Sequence, residues 1–450
     1  MKQAGTMDLT KGSVVKKFIS FTLPIMMTMI LQHLYTVADR IVVGQFAENG
    51  KFALAAVGST STATSLFVNL FTGMAAGTNV ICANKRGARD EKGLTLCTHS
   101  SMLLSVLLGL FVGTLGFVLC KPLLILLGTP ADVLDLATLY MRLYFVGIPA
   151  VAIYNFGSSI LRAHGDTKRS MYILSLTGLI NVGLNLVFVI VLHMSVAGVA
   201  LATIIAQYVS MAWMLCILFS PKGAYKMQFK RLKLHTPSLS AVARVGIPAG
   251  LNSMVFTVSN LLLQSSLNTF GSTAIAGKTA ALDISTLVYQ SIGASYLACT
   301  SFSGQCYGAR NYKRIDELVV KSIGVCWIYV FTVAGLCTVF PKQLLSLFNS
   351  DPEVIRIGTE LLQINVWGYV IYSISEITLG CVRGMGRSGM PSLLNFLGIC
   401  VPRIIWILLI FPLNREITFL YLCYPISWSI SAVLQLIYYL RVRKKLNAET

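Results

Sequence analysis

The chain has 450 residues, of which 55% are hydrophobic and only 12% are charged. A soluble domain would carry about 25% charged residues, so this composition excludes an ordinary soluble protein. Residues 94–120 and 171–219 contain no Lys, Arg, Asp or Glu, and a helix needs only ~20 apolar residues to cross a bilayer. The composition therefore predicts an all-α polytopic membrane protein, since a transmembrane β-barrel would show short alternating segments.

Hydropathy along the chain predicts twelve transmembrane helices. In chain order they cover residues 18–43, 52–82, 94–119, 133–158, 170–192, 196–219, 240–268, 273–302, 318–340, 354–381, 390–411 and 417–440. Residues 1–17 are polar and basic, and no small-residue cleavage site follows the first span. We therefore expect the first span to be retained in the protein and not removed as a signal peptide.

The net charge of +19 is distributed in a pattern typical of membrane topology. Basic residues concentrate in alternate loops, and the richest loop lies between spans six and seven. That loop contains Lys222, Lys226, Lys230, Arg231 and Lys233. The positive-inside rule then places both termini in the cytoplasm of a multi-pass protein of the inner (cytoplasmic) membrane. We expect no nucleic-acid partner, because the charge is explained by topology.

Short motifs recur at a fixed distance along the chain. Gly87-Ala88-Arg89-Asp90 returns 221 residues later as Gly308-Ala309-Arg310-Asn311, and Pro24 is matched by Pro248. Six predicted spans in each half give the halves the same orientation, which is a parallel repeat. We predict an N-terminal bundle of six helices over 1–219, a cytoplasmic linker over 220–237 and a C-terminal bundle over 238–450. Duplicated bundles of this kind are typical of transporters.

The segments between spans three and four and between spans nine and ten are leucine-rich and contain a proline. They cover residues 122–128 and 341–348. We predict a short interfacial helix at each place.

Ionisable residues inside predicted spans are few, and each costs ~2.5 kcal/mol or more to insert, so each needs a partner or a function. They are His33, Asp39, Arg40, Asp283, Glu376 and Arg403. Asp39 could pair with Arg40, but adjacent residues on a helix point about 100° apart. A cation or proton site at Asp39 is the alternative.

Neutral polar residues accompany Asp39 in the first half. They are Asn155, Asn181, Asn185 and Thr203. Asn181 and Asn185 are four residues apart and therefore share one helix face. A carboxylate with amide and hydroxyl oxygens suits Na⁺, and a lone carboxylate suits a proton. The alternative is that these asparagines only form hydrogen bonds between helices.

In the second half, Glu376 occupies the repeat position of Asn155. It could line a substrate cavity or pair with Arg383. Asp283 could likewise face a cavity or pair with Lys278. Aromatic side chains suit a cavity for large, flat, cationic ligands, although they also pack in ordinary cores. Those we propose for substrate binding are Tyr35, Tyr289 and Tyr372.

Taken together, these motifs resemble the MATE (multidrug and toxic compound extrusion) transporters over nearly the whole chain. The matching elements are the prolines of spans one and seven, the segment 37–44 (VADRIVVG), the two Gly-Ala-Arg loops and the segment 162–166 (RAHGD). The Asp-Arg pair in span one is most similar to the bacterial MepA-like branch.

The resemblance implies two six-helix bundles arranged in a V, and export of cationic or amphipathic compounds in exchange for H⁺ or Na⁺. It assigns the coupling site to Asp39 with Asn155, Asn181, Asn185 and Thr203, and an acidic substrate position to Glu376. Many members of the family have a second acid where this chain has Asn185, and residues 255–260 of span seven offer none. The coupling ion is therefore open between a proton and Na⁺.

The sequence agrees less well with two other function classes. A flippase for a lipid-linked precursor would need clustered basic residues in its cleft, and only Arg403 and Arg40 are available. An intramembrane enzyme would need a nucleophile–base pair or a metal motif, and the sequence contains no HExxH, GxSxG or P-loop pattern. The cysteines show no metal-ligand spacing. We expect a monomeric transporter of small organic cations in the lipid bilayer, with no cofactor and no enzymatic activity.

Overall fold

A computed structural model describes residues 6–46, 50–126, 128–220, 225, 227–348 and 350–448. The described chain is helical throughout. The helices of the first half are α1 (Val14–Phe46), α2 (Gly50–Gly87), α3 (Glu91–Leu126), α4 (Ala131–Ala163), α5 (Lys168–Leu186) and α6 (Ser195–Leu218). Those that follow are α7 (Thr236–Asn268), α8 (Ser272–Gly308), α9 (Tyr312–Val339), α10 (Pro341–Ser346), α11 (Pro352–Gly384), α12 (Gly389–Asn395), α13 (Val401–Ile405), α14 (Ile417–Tyr421) and α15 (Cys423–Ala448).

Helices occupy all twelve predicted spans, which confirms the all-α prediction. Among the described residues, nine spans are long and apolar enough to cross a membrane by length and composition alone. The helices α2, α8 and α11 are not among the nine, although they have 38, 37 and 33 residues. Of these three, α2 and α8 are rich in Gly, Ser and Thr, whereas α11 contains the charged residues Glu353, Arg356, Glu360, Glu376 and Arg383. Small residues let helix backbones approach closely inside a membrane bundle.

The chain divides into two compact units. One contains Met27–Gly250 together with the residues up to Asp8, and the other contains Leu9–Met26 and Leu251–Thr450. The helices α1 and α7 are each divided between the units, and each division falls two residues beyond a proline, Pro24 or Pro248. Proline has no backbone N–H, so each of these helices lacks one hydrogen bond near the division. The sequence boundaries at 219 and 238 stay a prediction.

In the first unit, glycines bring α2 and the first part of α7 into backbone contact. A β-carbon on Gly73 would lie 2.3 Å from the Cα of Gly250. One on Gly77 would lie 2.3 Å from the carbonyl oxygen of Val242. Any larger residue at Gly73 or Gly77 would therefore force the two helices apart. We call this contact the glycine seam.

Only one of the two predicted interfacial helices is separate. In the second half, α9 ends at Val339 and α10 begins at Pro341, where proline occupies the first turn of the new helix. In the first half that prediction is wrong, because α3 continues through Pro122 to Leu126. A proline inside a helix removes one backbone bond without necessarily ending the helix.

The fifth and eleventh predicted spans both contain π-helical turns. One follows α5 at Val187–Val191, and two flank α13, at Phe396–Cys400 and Trp406–Ile410. π-Turns shift the helix register and occur often at functional sites. Arg403 therefore lies in a five-residue α-helical segment between two such turns.

Candidate functional site

The acidic residue of α1 is in direct contact with α5. The Asn185 amide nitrogen lies 2.5 Å from a carboxylate oxygen of Asp39 and donates a hydrogen bond to it. Asn185 is fully buried, and Asp39 is half-buried. The alternative partner, Arg40, has a side chain that lies outside the described residues. The described partner of Asp39 is thus a neutral amide.

The hydrogen bonds continue from Asn185 to two more of the predicted residues. The Asn185 amide nitrogen is 3.4 Å from the Asn181 carbonyl oxygen, and the Asn181 amide nitrogen is 3.4 Å from the Thr203 hydroxyl. Asn181 and Asn185 share a face of α5, as their spacing predicts. We call Asp39, Asn181, Asn185 and Thr203 the polar chain.

One acceptor within the polar chain is left over. The side-chain oxygen of Asn185 is buried and has no hydrogen-bond partner among the described residues. A buried acceptor without a partner costs about 1–3 kcal/mol, so its presence needs a reason. It belongs to the same side chain that contacts the Asp39 carboxylate. Two oxygen-bearing groups therefore meet at the polar chain, one anionic and one neutral.

Asn155 has no described contact with this group. Its amide nitrogen donates a 2.8 Å hydrogen bond to the carbonyl oxygen of Val151, one turn earlier in α4. The side chain is thus engaged with its own helix. Its assignment to the coupling site stays a prediction, with no geometric support from the described contacts.

Tyr35 lies on α1, one turn before Asp39, and packs against α5. Its ring lies where a β-carbon on Gly178 would be, since that atom would approach the ring to 1.8 Å. Its hydroxyl donates a 3.0 Å hydrogen bond to the carbonyl oxygen of Ser175. Tyr35 therefore fixes α1 against α5 in the first unit.

The second unit contains a cluster of five aromatic side chains. Tyr289 and Tyr372 stack with ring centroids 5.9 Å apart, and Trp428 lies 5.1 Å from Tyr369 and 5.4 Å from Tyr424. The indole of Trp428 rests on Gly368, where a β-carbon would lie 2.5 Å from the ring. We call this group the aromatic cluster. Its ring faces are of the kind that attract organic cations.

Glu376 lies one turn beyond Tyr372 on α11, at the edge of the aromatic cluster. Tyr372 is the nearest aromatic member of that cluster in the sequence, four residues before it. The alternative pair with Arg383 is wrong for the described residues, because Arg383 donates instead to the Tyr296 hydroxyl and to Ser392. Glu376 is therefore a carboxylate beside aromatic rings that no described cation neutralises by an ion pair.

Asp283 is half-buried on α8 and forms no ion pair with any described residue. Lys278, its alternative partner, donates to the side chain of Gln264. No described contact links Asp283 to the aromatic cluster, so its predicted role in substrate binding stays a prediction.

Among the described residues, Arg403 has the largest fully buried side chain. Its guanidinium donates to Asn260 at 2.9 Å and to Ser427 at 3.1 Å, and it lies 4.5 Å from the ring centroid of Tyr424 and 5.2 Å from that of Phe256. One terminal nitrogen has no described hydrogen-bond partner. Arg403 is thus held by neutral oxygens and ring faces.

Sequence reasoning missed Trp428 and Tyr424 in this site. Aromatic residues are common in membrane helices, so their presence alone gave no reason to select these two. One weak signal was available: Tyr424 and Trp428 are four residues apart on α15, which places them on one face of that helix.

The chain is similar over most of its length to proteins of one known family. The pattern of the MatE family matches residues 24–187 and 248–408, one segment in each half. The chain is 25% identical over 452 residues to the probable multidrug resistance protein YoeA of Bacillus subtilis, covering 98% of this chain and 96% of YoeA. It is 23% identical to the multidrug export protein MepA of Staphylococcus aureus, covering 86% of this chain and 85% of MepA.

Solved structures show the same fold. An outward-facing multidrug resistance MATE family transporter of the MOP superfamily superposes with a TM-score of 0.91, at 23% identity and with complete coverage of both chains. The two family segments together cover well over half of the chain, and they fall on the two sequence repeats. The chain therefore belongs to the MatE family, the family of non-enzymatic membrane transporters that its motifs resemble.

Proposed function

We propose that the protein is a secondary antiporter that exports organic cations and amphipathic drugs in exchange for H⁺ or Na⁺ by alternating access. The relatives named above as multidrug resistance and multidrug export proteins support this proposal. We further propose that it acts as a monomer in the cytoplasmic membrane, with both termini in the cytoplasm.

The observation that carries the proposal is the contact between Asp39 and Asn185. An amide partner does not neutralise the charge of an ionised carboxylate, and an uncompensated charge is costly inside a membrane. A cation that binds there removes this cost. Na⁺ would take the Asp39 carboxylate and the unpartnered Asn185 oxygen as ligands. A proton on Asp39 could be donated to the same amide oxygen.

Ion binding at the polar chain gives a physical basis for coupling. A hydrogen bond from Asn185 to an ionised carboxylate is stronger than one to a neutral carboxyl group. Neutralising Asp39 would therefore weaken the contact between α1 and α5. An ion or a drug can shift a conformational equilibrium only through its different affinity for the two states. By thermodynamic linkage, the ion weakens drug binding by the same factor by which the drug weakens ion binding.

On the substrate side, we propose that the aromatic cluster and Glu376 bind the cation. Ring faces attract an organic cation by about 0.5–2 kcal/mol each, depending on how far it is desolvated. Glu376 adds a full negative charge at the edge of those rings. A flat aromatic cation would satisfy both groups.

The flippase alternative is less well supported. A carrier with an anionic headgroup would need several accessible basic residues, and Arg403 is fully buried under two aromatic rings. The side chain of Arg40 lies outside the described residues. A single buried guanidinium does not form a polyanion-binding surface.

Transport into proteoliposomes tests the proposal. Purified protein would be assayed with a fluorescent organic cation under an imposed H⁺ gradient and, separately, an Na⁺ gradient. We expect one gradient to drive transport and Asp39→Asn to abolish it. The matched control is Asp135→Asn, because Asp135 is an exposed acid paired with Lys121. Full transport by Asp39→Asn would overturn the assignment of Asp39, and binding of a pyrophosphoryl lipid without transport of the dye would favour the flippase.

A further inference from the structure

A second site lies where the predicted second span ends and the third begins, in the first unit. A cavity of about 790 Å³ is lined by the last turn of α2, the first turns of α3, His164 after α4 and the linker before α7. This volume falls within the range of ordinary small-molecule sites. Its charged lining is one carboxylate and five cations: Glu91, Arg86, Lys92, Lys230, Arg231 and Lys233. We call it the basic cavity.

The side chains of the five cations form no hydrogen bond or ion pair with any described residue. Some other cations on the same predicted face are partnered by protein groups. Lys85 pairs with Asp90 at 2.8 Å. In the second unit, Arg314 donates to two backbone carbonyls, those of Leu9 and Lys11, and Arg443 pairs with Asp316. The cavity thus brings together five cationic side chains that have no described partner.

The linker holds its three cations in place over the cavity. The backbone N–H of Gln228 donates a 3.0 Å hydrogen bond to His99 of α3. The hydroxyl of Ser100 donates to the carbonyl oxygen of Lys233 at 2.8 Å, and the ring of Phe229 stacks on Phe219 at 3.9 Å. Lys230 and Arg231 therefore extend from a short helical turn, Phe229–Arg231, and Lys233 follows it, in a linker whose backbone is fixed against α3.

Two further polar residues of the lining, His164 and Tyr225, add no positive charge at physiological pH. Burial, assisted by the Arg86 guanidinium, lowers the pKa of His164 to about 4. Tyr225 donates its hydroxyl to Asp166 at 2.9 Å, and burial raises the pKa of that hydroxyl above its ordinary value. Five cations against one carboxylate leave an excess of four positive charges. The positive-inside rule explains the sign of this charge but not its convergence around a cavity.

We propose that the basic cavity binds a compact polyanion bearing several phosphate groups, either a free polyphosphate or the headgroup of an anionic phospholipid. Arg and Lys side chains are the ordinary protein partners of phosphate oxygens. Basic pockets at the cytoplasmic ends of transmembrane helices suit such headgroups. The bound anion would bridge the linker to α2 and α3.

Binding measurements on the full-length protein test the proposal. Tripolyphosphate is titrated against purified protein in detergent by calorimetry. Retention of cardiolipin, compared with phosphatidylcholine, is counted by native mass spectrometry after extraction from vesicles that contain both lipids. The test variant carries Lys230→Gln, Arg231→Gln and Lys233→Gln. The matched control carries Arg441→Gln, Lys444→Gln and Lys445→Gln, which removes the same charge from exposed positions at the end of α15.

We expect saturable binding of at least one probe, weakened about tenfold or more in the linker variant and less than twofold in the control. Cardiolipin alone would identify the headgroup as the source, and tripolyphosphate alone would identify a free anion. If the linker variant does not yield monodisperse protein, Lys92→Gln on α3 replaces it. Equal weakening in both triple variants, or no saturable binding of either probe, would overturn the proposal.

Discussion

The carboxylate of Asp39 and the amide of Asn185 are 2.5 Å apart, although 146 residues separate them in the chain. The contact joins α1 to α5 at a point where no described cation neutralises the acid. An amide at this position can donate to an ionised carboxylate or, after rotation, accept from a protonated one. The pair can therefore satisfy Asp39 in both charge states.

Asn185→Asp should strengthen cation coupling. Two carboxylates about 4 Å apart repel each other by ~4 kcal/mol at an effective dielectric of 20, and a shared cation relieves that repulsion. We expect the apparent affinity for Na⁺ to rise about tenfold or more in the proteoliposome assay. Asn365→Asp is the matched control, because Asn365 is a buried amide on α11 of the second unit and belongs to neither proposed site. An unchanged ion dependence in Asn185→Asp would show that Asn185 lies outside the coupling site.

Trp428→Leu should weaken binding of aromatic cations. The indole is 3% exposed and contacts three tyrosine rings, so its loss removes a ring face from the aromatic cluster. A cation–π contact of about 0.5–2 kcal/mol corresponds to a loss of affinity between about twofold and thirtyfold. Fluorescence titration with an aromatic cation measures it. Trp367→Leu, at a position 44% exposed, should leave affinity unchanged, and equal losses would locate the site elsewhere.

Asn260→Leu should destabilise the second unit. The Asn260 oxygen accepts a hydrogen bond from the buried Arg403 guanidinium, and a bond to a charged group contributes about 1.5–3 kcal/mol. Asn252→Leu is the control, because Asn252 accepts only from the neutral amide of Asn395. Thermal unfolding in detergent should show a larger loss for Asn260→Leu. If the unfolding midpoint falls less in Asn260→Leu than in Asn252→Leu, the hydrogen bond to the charged guanidinium does not contribute the extra stability expected.

His164 should make stability depend on pH. Its pKa is lowered from 6.5 to about 4, so the unfolded chain binds a proton in this range that the folded chain excludes. The folded state therefore loses about 2 kcal/mol as pH falls from 7 to 5. The unfolding midpoint should fall less over this interval in His164→Gln than in the unchanged protein. His235→Gln, at a half-buried position in the linker, should behave like the unchanged protein, and an identical pH response in all three would refute the assignment.

The sequence predicted most of the fold and part of the site. Apolar length determines where helices cross a membrane, and each of the twelve stretches predicted from the sequence is helical, although only nine of the described helices are apolar enough to qualify as spans by length and composition. Spacing placed Asn181 and Asn185 on one face, and the structure adds their contact with Asp39. The orientation of the Asn155 amide could not be predicted, because the amide can donate either to a neighbouring helix or to the Val151 carbonyl oxygen one turn earlier in its own helix. Trp428 was missed because its position depends on the space above Gly368, which is a tertiary feature.

The glycine seam has a mechanical consequence. Dispersion attraction between touching backbones falls steeply with distance, and a gap of 0.5–1 Å already loses about a quarter to a half of it. Side chains that could flex to follow a small displacement are missing at Gly73 and Gly77, where the backbones themselves meet. The first part of α7 should thus be either fully packed against α2 or separated from it, with few intermediate positions.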